Sequence, residues 1–300
     1  MPELPEVTTT VNGLNEVLPK LTIKDVWSDY YIKTSNKRSD NIKSKKYFEK
    51  FRKEVSGEKF LRSERRGKNV LIHLSRNKTV LIHMKMTGHL LYGAYKKVEE
   101  GWIPVEKGLL HDPFNRFIHL VFVLSNGKHL AFSDMRKFAK VLMFETHKKA
   151  SHVDLVGLGP EPLDNLSLDS FTKQLLKKLS GKIKTVLMDQ SILAGIGNIY
   201  SDEILWEAGV HPERLPSSLS KTEIKKMWSA MKKILLKSIK MGGDSMSDYR
   251  NIHGQRGNFQ KAHKVYKRRG QKCLKKSCGG IIQRKVIGGR SAHFCSMHQK

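Results

Sequence analysis

The stretch VLIHLSRNKTVLIHM, residues 70–84, decides how the first half of this chain is read. Two apolar runs, 70–74 and 80–84, flank a polar turn at 75–78. Short apolar runs bounded by turn residues read as strands rather than helices, and this separation suits a hairpin. The pattern recurs downstream, where residues 117–124 and 129–132 flank Ser125, Asn126, Gly127 and Lys128. Asn-Gly is the strongest short hairpin signal, because both residues accept positive φ. Strand character extends from residue 22 to about residue 145, so a β-sandwich or barrel is expected there. Residues 93–116 read as a longer polar connection.

One helix precedes these strands. Pro5 suits a first helical turn, Val7, Val11, Leu14 and Leu18 repeat at helical spacing, and Pro19 closes the segment. Past 157–162 the period changes. Leu168, Phe171, Leu175 and Leu179 are helix-spaced, as are Ile183, Val186 and Leu187. A further helix is expected from Asn198 to Ala208, stopped by Gly209. Ser220 and Glu223 make a capping box for residues 224–239, ended by Gly242 and Gly243. No internal repeat is evident. The second half therefore reads as helical, followed by a basic tail.

Charge is the next signal. The 300 residues hold 56 Lys+Arg against 28 Asp+Glu, a net charge of +28. Residues 251–300 contain thirteen Lys/Arg and no Asp or Glu. A one-signed block of this kind points to a polyanion, nucleic acid before membrane, since no amphipathic anchor accompanies it. No run approaches the roughly 18 apolar residues of a membrane span, and the start lacks a basic-then-apolar leader pattern. An intracellular protein is expected. The three cysteines, Cys273, Cys278 and Cys295, lie in the last thirty residues. With His298 they read C-x4-C-x16-C-x2-H, two tight pairs bracketing a short excursion, as one tetrahedral structural zinc requires. Gly288 and Gly289 supply a hairpin turn within the excursion. Incidental buried cysteines are the alternative reading.

Several residues carry candidate chemistry. If Met1 is removed, the chain begins with the secondary amine of Pro2, followed by Glu3 and, three residues on, Glu6. An α-amino group titrates near 7.7–8.0, below the roughly 10.4 of lysine, so part of it is nucleophilic at neutral pH. Attack on an aldehyde-like carbon gives an iminium, with Glu3 placed to act as general acid/base. Taken alone, Pro2 means only that Met1 is clipped. Gly195, Gly197 and Asn198 open a helix after a glycine-rich turn, where backbone N–H groups can bind phosphate; an ordinary helix start is the blander reading. Lys184 adds a second candidate phosphate contact, and Lys68 lies in a basic loop just before a strand. Met86 with Arg136 and Phe138 offers an apolar wedge plus a hydrogen-bonding arginine, which a base-extruding enzyme needs. Singly, Met86 and Phe138 read as core residues.

Together these segments resemble the formamidopyrimidine-DNA glycosylase branch of a base-excision repair family. The matching stretches are MPELPEV at the start, RRGK at 65–68, HMKMTG at 83–88, SDMRKF at 133–138 and LGPEPL at 158–163. They continue with AGIGNIYSDEILWEAGVHP ending at residue 212, VYKRRGQKC at 265–273 and GRSAHFC at 289–295. The resemblance implies an α+β multidomain protein. Residues 1–148 would form a catalytic β-sandwich with its N-terminal helix, 149–262 a helix–two-turn–helix domain with a lesion-capping loop, and 263–300 a zinc-finger hairpin. It implies Pro2 as the nucleophile on the sugar C1′, Glu3 as general acid/base, Glu6 as a supporting carboxylate, Lys68 in β-elimination and Arg290 in δ-elimination. Met86, Arg136 and Phe138 would fill the void left by the flipped base, with Arg136 facing the orphaned cytosine. Lys184 and Asn198 would contact phosphates. The expected partner is damaged duplex DNA, bound by a monomer in a bacterial-type cytoplasm at the nucleoid. Two departures stand out: the family usually has C-x2-C and a fourth cysteine, and the capping-loop segment is basic where many relatives carry an acid.

The nearest rival is the Nei-like branch, which removes oxidised pyrimidines; Leu4 and the intact Met86/Arg136/Phe138 set favour the purine reading. A catalytically inactive, zinc-finger lesion-binding protein and an RNA-associated basic protein are rivals from other classes.

Overall fold

The structure, a computed structural model, describes residues 1–31 and 41–300. It divides into two compact units, Met1–Leu155 with Met241–Asn258, and Val156–Lys240 with Phe259–Lys300.

The first unit runs α1 (Leu4–Val17), β1 (Ile23–Ser28), α2 (Lys45–Val55), β2 (Phe60–Arg66), β3 (Asn69–Leu74), β4 (Lys78–His83), β5 (His89–Gly93), β6 (Tyr95–Val98), β7 (Gly101–Pro104), β8 (Ile118–Leu124), β9 (His129–Ser133) and β10 (Lys140–Glu145). Two four-stranded antiparallel sheets result, ordered β1-β8-β9-β5 and β10-β4-β3-β2. The β3–β4 hairpin read from residues 70–84 pairs Asn69 with His83 and Leu74 with Lys78. The core is filled from both sheets and from α1 by Val7, Val11, Leu14, Ile72, Val80, Ile82, Leu120, Phe122 and Phe132. Burying each such side chain contributes about 1.5–3 kcal/mol.

Two features go beyond the expected strands-plus-one-helix pattern. Helix α2 is capped by Ser44, whose side chain accepts the Tyr47 N–H, and it buries only Phe48, Phe51 and Val55. The polar connection at 93–116 instead contains the β6–β7 hairpin. That hairpin closes a small second core on the outer face of the sheet, where Leu91, Tyr95, Ile118 and Val121 pack with Trp27 and Trp102.

The second unit contains α3 (Leu168–Leu175), α4 (Ile183–Met188), α5 (Asn198–Ala208), α6 (Lys221–Lys240), β11 (Gln283–Ile287) and β12 (Arg290–Phe294). Helix α5 ends on Gly209 at φ +75°, a left-handed cap that glycine adopts without strain. Helix α6 opens on the capping box: Ser220 Oγ accepts the Glu223 N–H at 3.2 Å, and Glu223 Oε2 accepts the Ser220 N–H at 2.8 Å. Strands β11 and β12 form the hairpin of the basic tail.

The β10-β4-β3-β2 sheet carries two perturbed groups. The His73 side chain and the ammonium of Lys149 hold Glu64 at about 2, against a burial effect in the opposite direction. Burial, with the charges of Lys85 and Lys68, pushes His83 down to about 3. For both groups the unfolded chain takes up its proton first, so both stabilisations fade as pH falls. The His83 contribution is complete above about 6.5 and declines toward 3, whereas that of Glu64 is complete above about 4.5 and declines toward 2. Urea unfolding is therefore expected to show stability falling continuously below pH 6.5. In His83→Gln the slope between pH 6.5 and 4.5 should become shallower, the remainder coming from other histidines that burial holds low, such as His89 and His129; an unchanged slope between 6.5 and 4.5 would show that His83 does not titrate there.

Candidate functional site

In the first unit the site begins at the amino end of α1. Pro2, Glu3 and Glu6 are all buried, Glu3 at 3% and Glu6 at 2% exposure, whereas Met1 is exposed. Glu3 is the N-cap, and the two carboxylates form a reciprocal capping box. In it the Glu3 N–H donates to Glu6 Oε2 at 2.8 Å. The other oxygen, Oε1, accepts the Asp244 N–H at 2.7 Å. Both carboxylates also lie at the positive end of the α1 dipole.

Lys68 lies half-buried in the turn between β2 and β3. This turn is tied to α1 by Arg65, whose Nε donates to Thr8 Oγ1 at 2.9 Å. Lys68 is also close enough to help depress the His83 imidazole.

Met86, Arg136 and Phe138, the candidate wedge, come from two turns that share a buried carboxylate. Asp134 is fully buried. Its Oδ1 accepts from Thr87 Oγ1 at 2.5 Å. Its Oδ2 accepts from Tyr30 Oη at 2.9 Å and from the Ala139 N–H at 2.9 Å. Thr87 Oγ1 in turn accepts the Arg136 N–H at 3.2 Å. The turn bearing Met86 and the turn bearing Arg136 and Phe138 are thereby fastened to one another. Lys137, between them in sequence, has φ +52°. Arg136 and Phe138 are exposed, and the guanidinium lies 4.2 Å from the centroid of the ring. The part played by Asp134, Thr87 and Tyr30 was not apparent from sequence; the only trace of it was an acid standing immediately before the arginine turn.

In the second unit the glycine-rich turn is locked by Gln190. Its Nε2 donates to the carbonyls of Met188 and Ile196, both at 2.8 Å, and its Oε1 accepts the Gly195 N–H at 2.9 Å. Asn198 is the first residue of α5, and its buried Oδ1 has no partner among the described residues. Lys184, the second candidate phosphate contact, lies behind the first turn of α5. It is fully buried, and its Nζ donates to Asp202 Oδ1 at 2.5 Å and to Ser201 Oγ at 3.2 Å. Asp202 Oδ2 accepts the backbone N–H of His293 at 2.9 Å and lies 3.0 Å from its Nδ1. The next residue, Glu203, accepts the N–H groups of Lys264, Val265 and Tyr266 at 2.8–3.1 Å. Arg290 is exposed at the start of β12, beside Gly288 and Gly289, whose φ values are +56° and +73°.

The cysteines converge. The sulfurs of Cys273, Cys278 and Cys295 all lie within 4.8 Å of one another, a group able to hold a metal ion. Gly280 leaves the space that this needs, since a Cβ there would stand 2.5 Å from Cys295 Sγ. Trp206 Nε1 donates to Cys273 Sγ at 3.4 Å. This group consists of the three sulfurs, and nearby the His298 Nε2 lies 2.7 Å from the Trp206 carbonyl oxygen.

Comparison with known proteins agrees with this geometry. Residues 1–141 match the formamidopyrimidine-DNA glycosylase N-terminal domain, and residues 158–250 match the formamidopyrimidine-DNA glycosylase H2TH domain. The formamidopyrimidine-DNA glycosylase of Bacillus cereus is 34% identical over 302 residues, covering 100% of this chain and 99% of its own. That of Pelotomaculum thermopropionicum is 36% identical over 300 residues, with the same coverage. A Lactococcus lactis FPG mutant in complex with Fapy-dG-containing DNA superposes with a TM-score of 0.82 at 29% identity, covering 100% of both chains. MutM in complex with carbocyclic 8-oxo-G-containing DNA gives 0.81 at 29% identity, again over 100% of both chains. The chain belongs to the formamidopyrimidine-DNA glycosylase family.

Proposed function

We propose that this protein is a bifunctional DNA glycosylase and AP lyase of base-excision repair, excising oxidised purines, 8-oxoguanine and formamidopyrimidine, from duplex DNA. The observation that carries this reading is the amino end of α1, where Pro2 lies buried beside two carboxylates held in a reciprocal box. Once Met1 is removed, the Pro2 amine attacks C1′ of the damaged nucleotide. The C1′–N bond breaks with its electron pair leaving on the base, which takes up the proton given up by the amine, and ring opening of the sugar at O4′ then gives the iminium. Glu3 delivers a proton for that opening. Glu6 fixes the turn from which both act. Lys68 takes part in β-elimination and Arg290 in δ-elimination.

Met86, Arg136 and Phe138 fill the gap left by the extruded nucleotide, with Arg136 toward the orphaned cytosine. Asn198 and the α5 amino end take phosphate. Lys184 supports that end from behind, through its buried pair with Asp202. Residues 1–148 carry the chemistry; within 149–262 the segment 241–258 packs with that unit, and the remainder grips the duplex together with 263–300. One structural zinc is held by Cys273, Cys278 and Cys295, with His298 as the fourth ligand. Donation from His298 Nε2–H to the Trp206 carbonyl supports this assignment, since a ligating histidine commonly secures its other ring nitrogen in that way. The zinc cross-links the tail and supplies no chemistry to the reaction. The protein acts as a monomer in the cytoplasm, on nucleoid DNA; no helix of the described residues is long and apolar enough to cross a membrane.

Borohydride trapping on 8-oxoguanine:C duplexes is expected to give a covalent adduct with Met1-processed protein and none when Met1 is retained or when Glu3→Gln is introduced. A wild-type protein that traps on thymine-glycol DNA but not on 8-oxoguanine DNA would move the substrate to oxidised pyrimidines. Arg136→Ala should blunt discrimination of the opposite base by roughly 1–3 kcal/mol; equal losses opposite C and A would remove Arg136 from that role. Metal analysis should find one zinc per chain, lost in Cys295→Ala and more readily stripped by chelator in His298→Ala. Folded wild-type protein without zinc would overturn the ligand set.

A further inference from the structure

Segment 241–258 belongs to the first unit, and the ion pair of Arg250 with Asp112 helps to fasten it there. Arg250 is only 1% exposed although it carries a guanidinium. It grips Asp112 with two bonds, Nε to Oδ2 at 3.0 Å and Nη2 to Oδ1 at 2.9 Å. Its Nη1 donates to the carbonyls of Ser247 at 3.0 Å and Tyr249 at 2.9 Å, and its charge lies 4.9 Å from the Phe114 ring centroid. A buried guanidinium is costly unless every donor is placed, and a bidentate carboxylate is its best partner. The backbone fits closely nearby. Gly254, at φ +78°, has no room for a Cβ, which would stand 2.7 Å from the Leu109 carbonyl oxygen and 2.9 Å from Asn115 Nδ2. Tyr92 N–H donates to the Ile252 carbonyl at 2.6 Å.

A continuous path of bonds runs from this clamp to the amino terminus. Tyr249, adjacent to Arg250, donates its hydroxyl to the Glu6 carbonyl at 2.9 Å and lies 3.2 Å from Thr10 Oγ1. Ser245 Oγ donates to the Tyr249 carbonyl at 2.7 Å and accepts the Gly257 N–H at 2.8 Å, closing the segment on itself. Its neighbour Asp244 gives its N–H to Glu6 Oε1, and Glu6 Oε2 takes the N–H of Glu3. Glu6 therefore sits between the segment and the residue that follows Pro2.

We infer that Asp112 and Arg250 are positioning residues for the covalent step: by clamping segment 241–258 they hold Glu6, and through Glu6 the turn that aims the Pro2 amine. The inference rests on the Schiff-base reading above. Residues 109–115 thereby become part of the catalytic framework, although none of them touches a reacting atom. Asp112→Asn weakens the clamp at almost constant shape, and Arg250→Lys keeps the charge but loses the fork. The 241–258 segment then shifts, and the Asp244 N–H no longer holds Glu6 in place.

The test uses the full, Met1-processed chain on a duplex containing a preformed abasic site, so that base extrusion and glycosidic cleavage do not limit the rate. Single-turnover borohydride trapping should slow by roughly tenfold to a hundredfold in Asp112→Asn, as expected for a misplaced reacting group. Arg250→Lys should fall between it and wild type, and the DNA Kd of both should stay near that of wild type. Hydrogen exchange gives a readout independent of activity: the Asp244 amide should lose protection in both variants while the amides of β3 and β4 keep theirs. Variants that trap at the wild-type rate, or that slow while the Asp244 amide stays protected, would overturn the inference. So would loss of protection throughout β3 and β4, since the pair would then be a general stabiliser of the unit. Failure of the wild-type protein to trap would instead overturn the Schiff-base reading itself.

Discussion

The Glu6 carboxylate is the constraint on which the first unit turns. At 2% exposure it has surrendered its water, and an unpartnered buried carboxylate is too costly to keep charged. It recovers that loss through two backbone N–H groups, from Glu3 within its own helix turn and from Asp244 in a segment more than two hundred residues later in the chain. The bond to Asp244 cannot form until the chain has returned from the second unit. The geometry of the amino terminus is thus set by the last part of the first unit to be synthesised, rather than by the helix it begins.

The second unit repeats this strategy. Asp202 and Glu203 stand side by side on α5, both buried, and each turns a different part of the tail toward the helix. Asp202 takes Lys184 and β12, while Glu203 takes three successive N–H groups at 264–266. Few apolar residues are available for this work: Trp206, Val265, Ile282 and Cys295 form the buried cluster there, with Cys273 and Cys278 packed against it. A module with so small a core needs polar staples. Carboxylates on a helix that is itself well packed provide the staples.

Features with a local cause were legible in the sequence. The Asn126-Gly127 turn, the spacing of Val7, Val11 and Leu14, the Ser220–Glu223 box and the Gly209 stop each depend on residues a few positions apart, and each appears in the fold. Helix α2 was harder to read because seven of its eleven residues are charged, leaving three apolar positions to carry the period. The β6–β7 hairpin depends on the surface offered by Trp27, which no local pattern announces. Site residues followed the same rule. Chemistry carried by residue type, such as a proline amine or a cysteine set, could be named in advance. The burial of Lys184 could not, because the ion pair spans 18 residues to Asp202 and the carboxylate then reaches 91 more to His293.

The shared carboxylate of Asp134 has a consequence for how the two turns it joins can vary. Met86, Arg136 and Phe138 stand on two turns whose backbones are joined through one side chain and the Thr87 hydroxyl. Groups that share a partner do not contribute additively. The three residues therefore have fewer independent degrees of freedom than their number suggests. A change in one turn is transmitted to the other, and Tyr30, a core residue with no surface of its own, belongs to the same thermodynamic unit as the exposed Arg136.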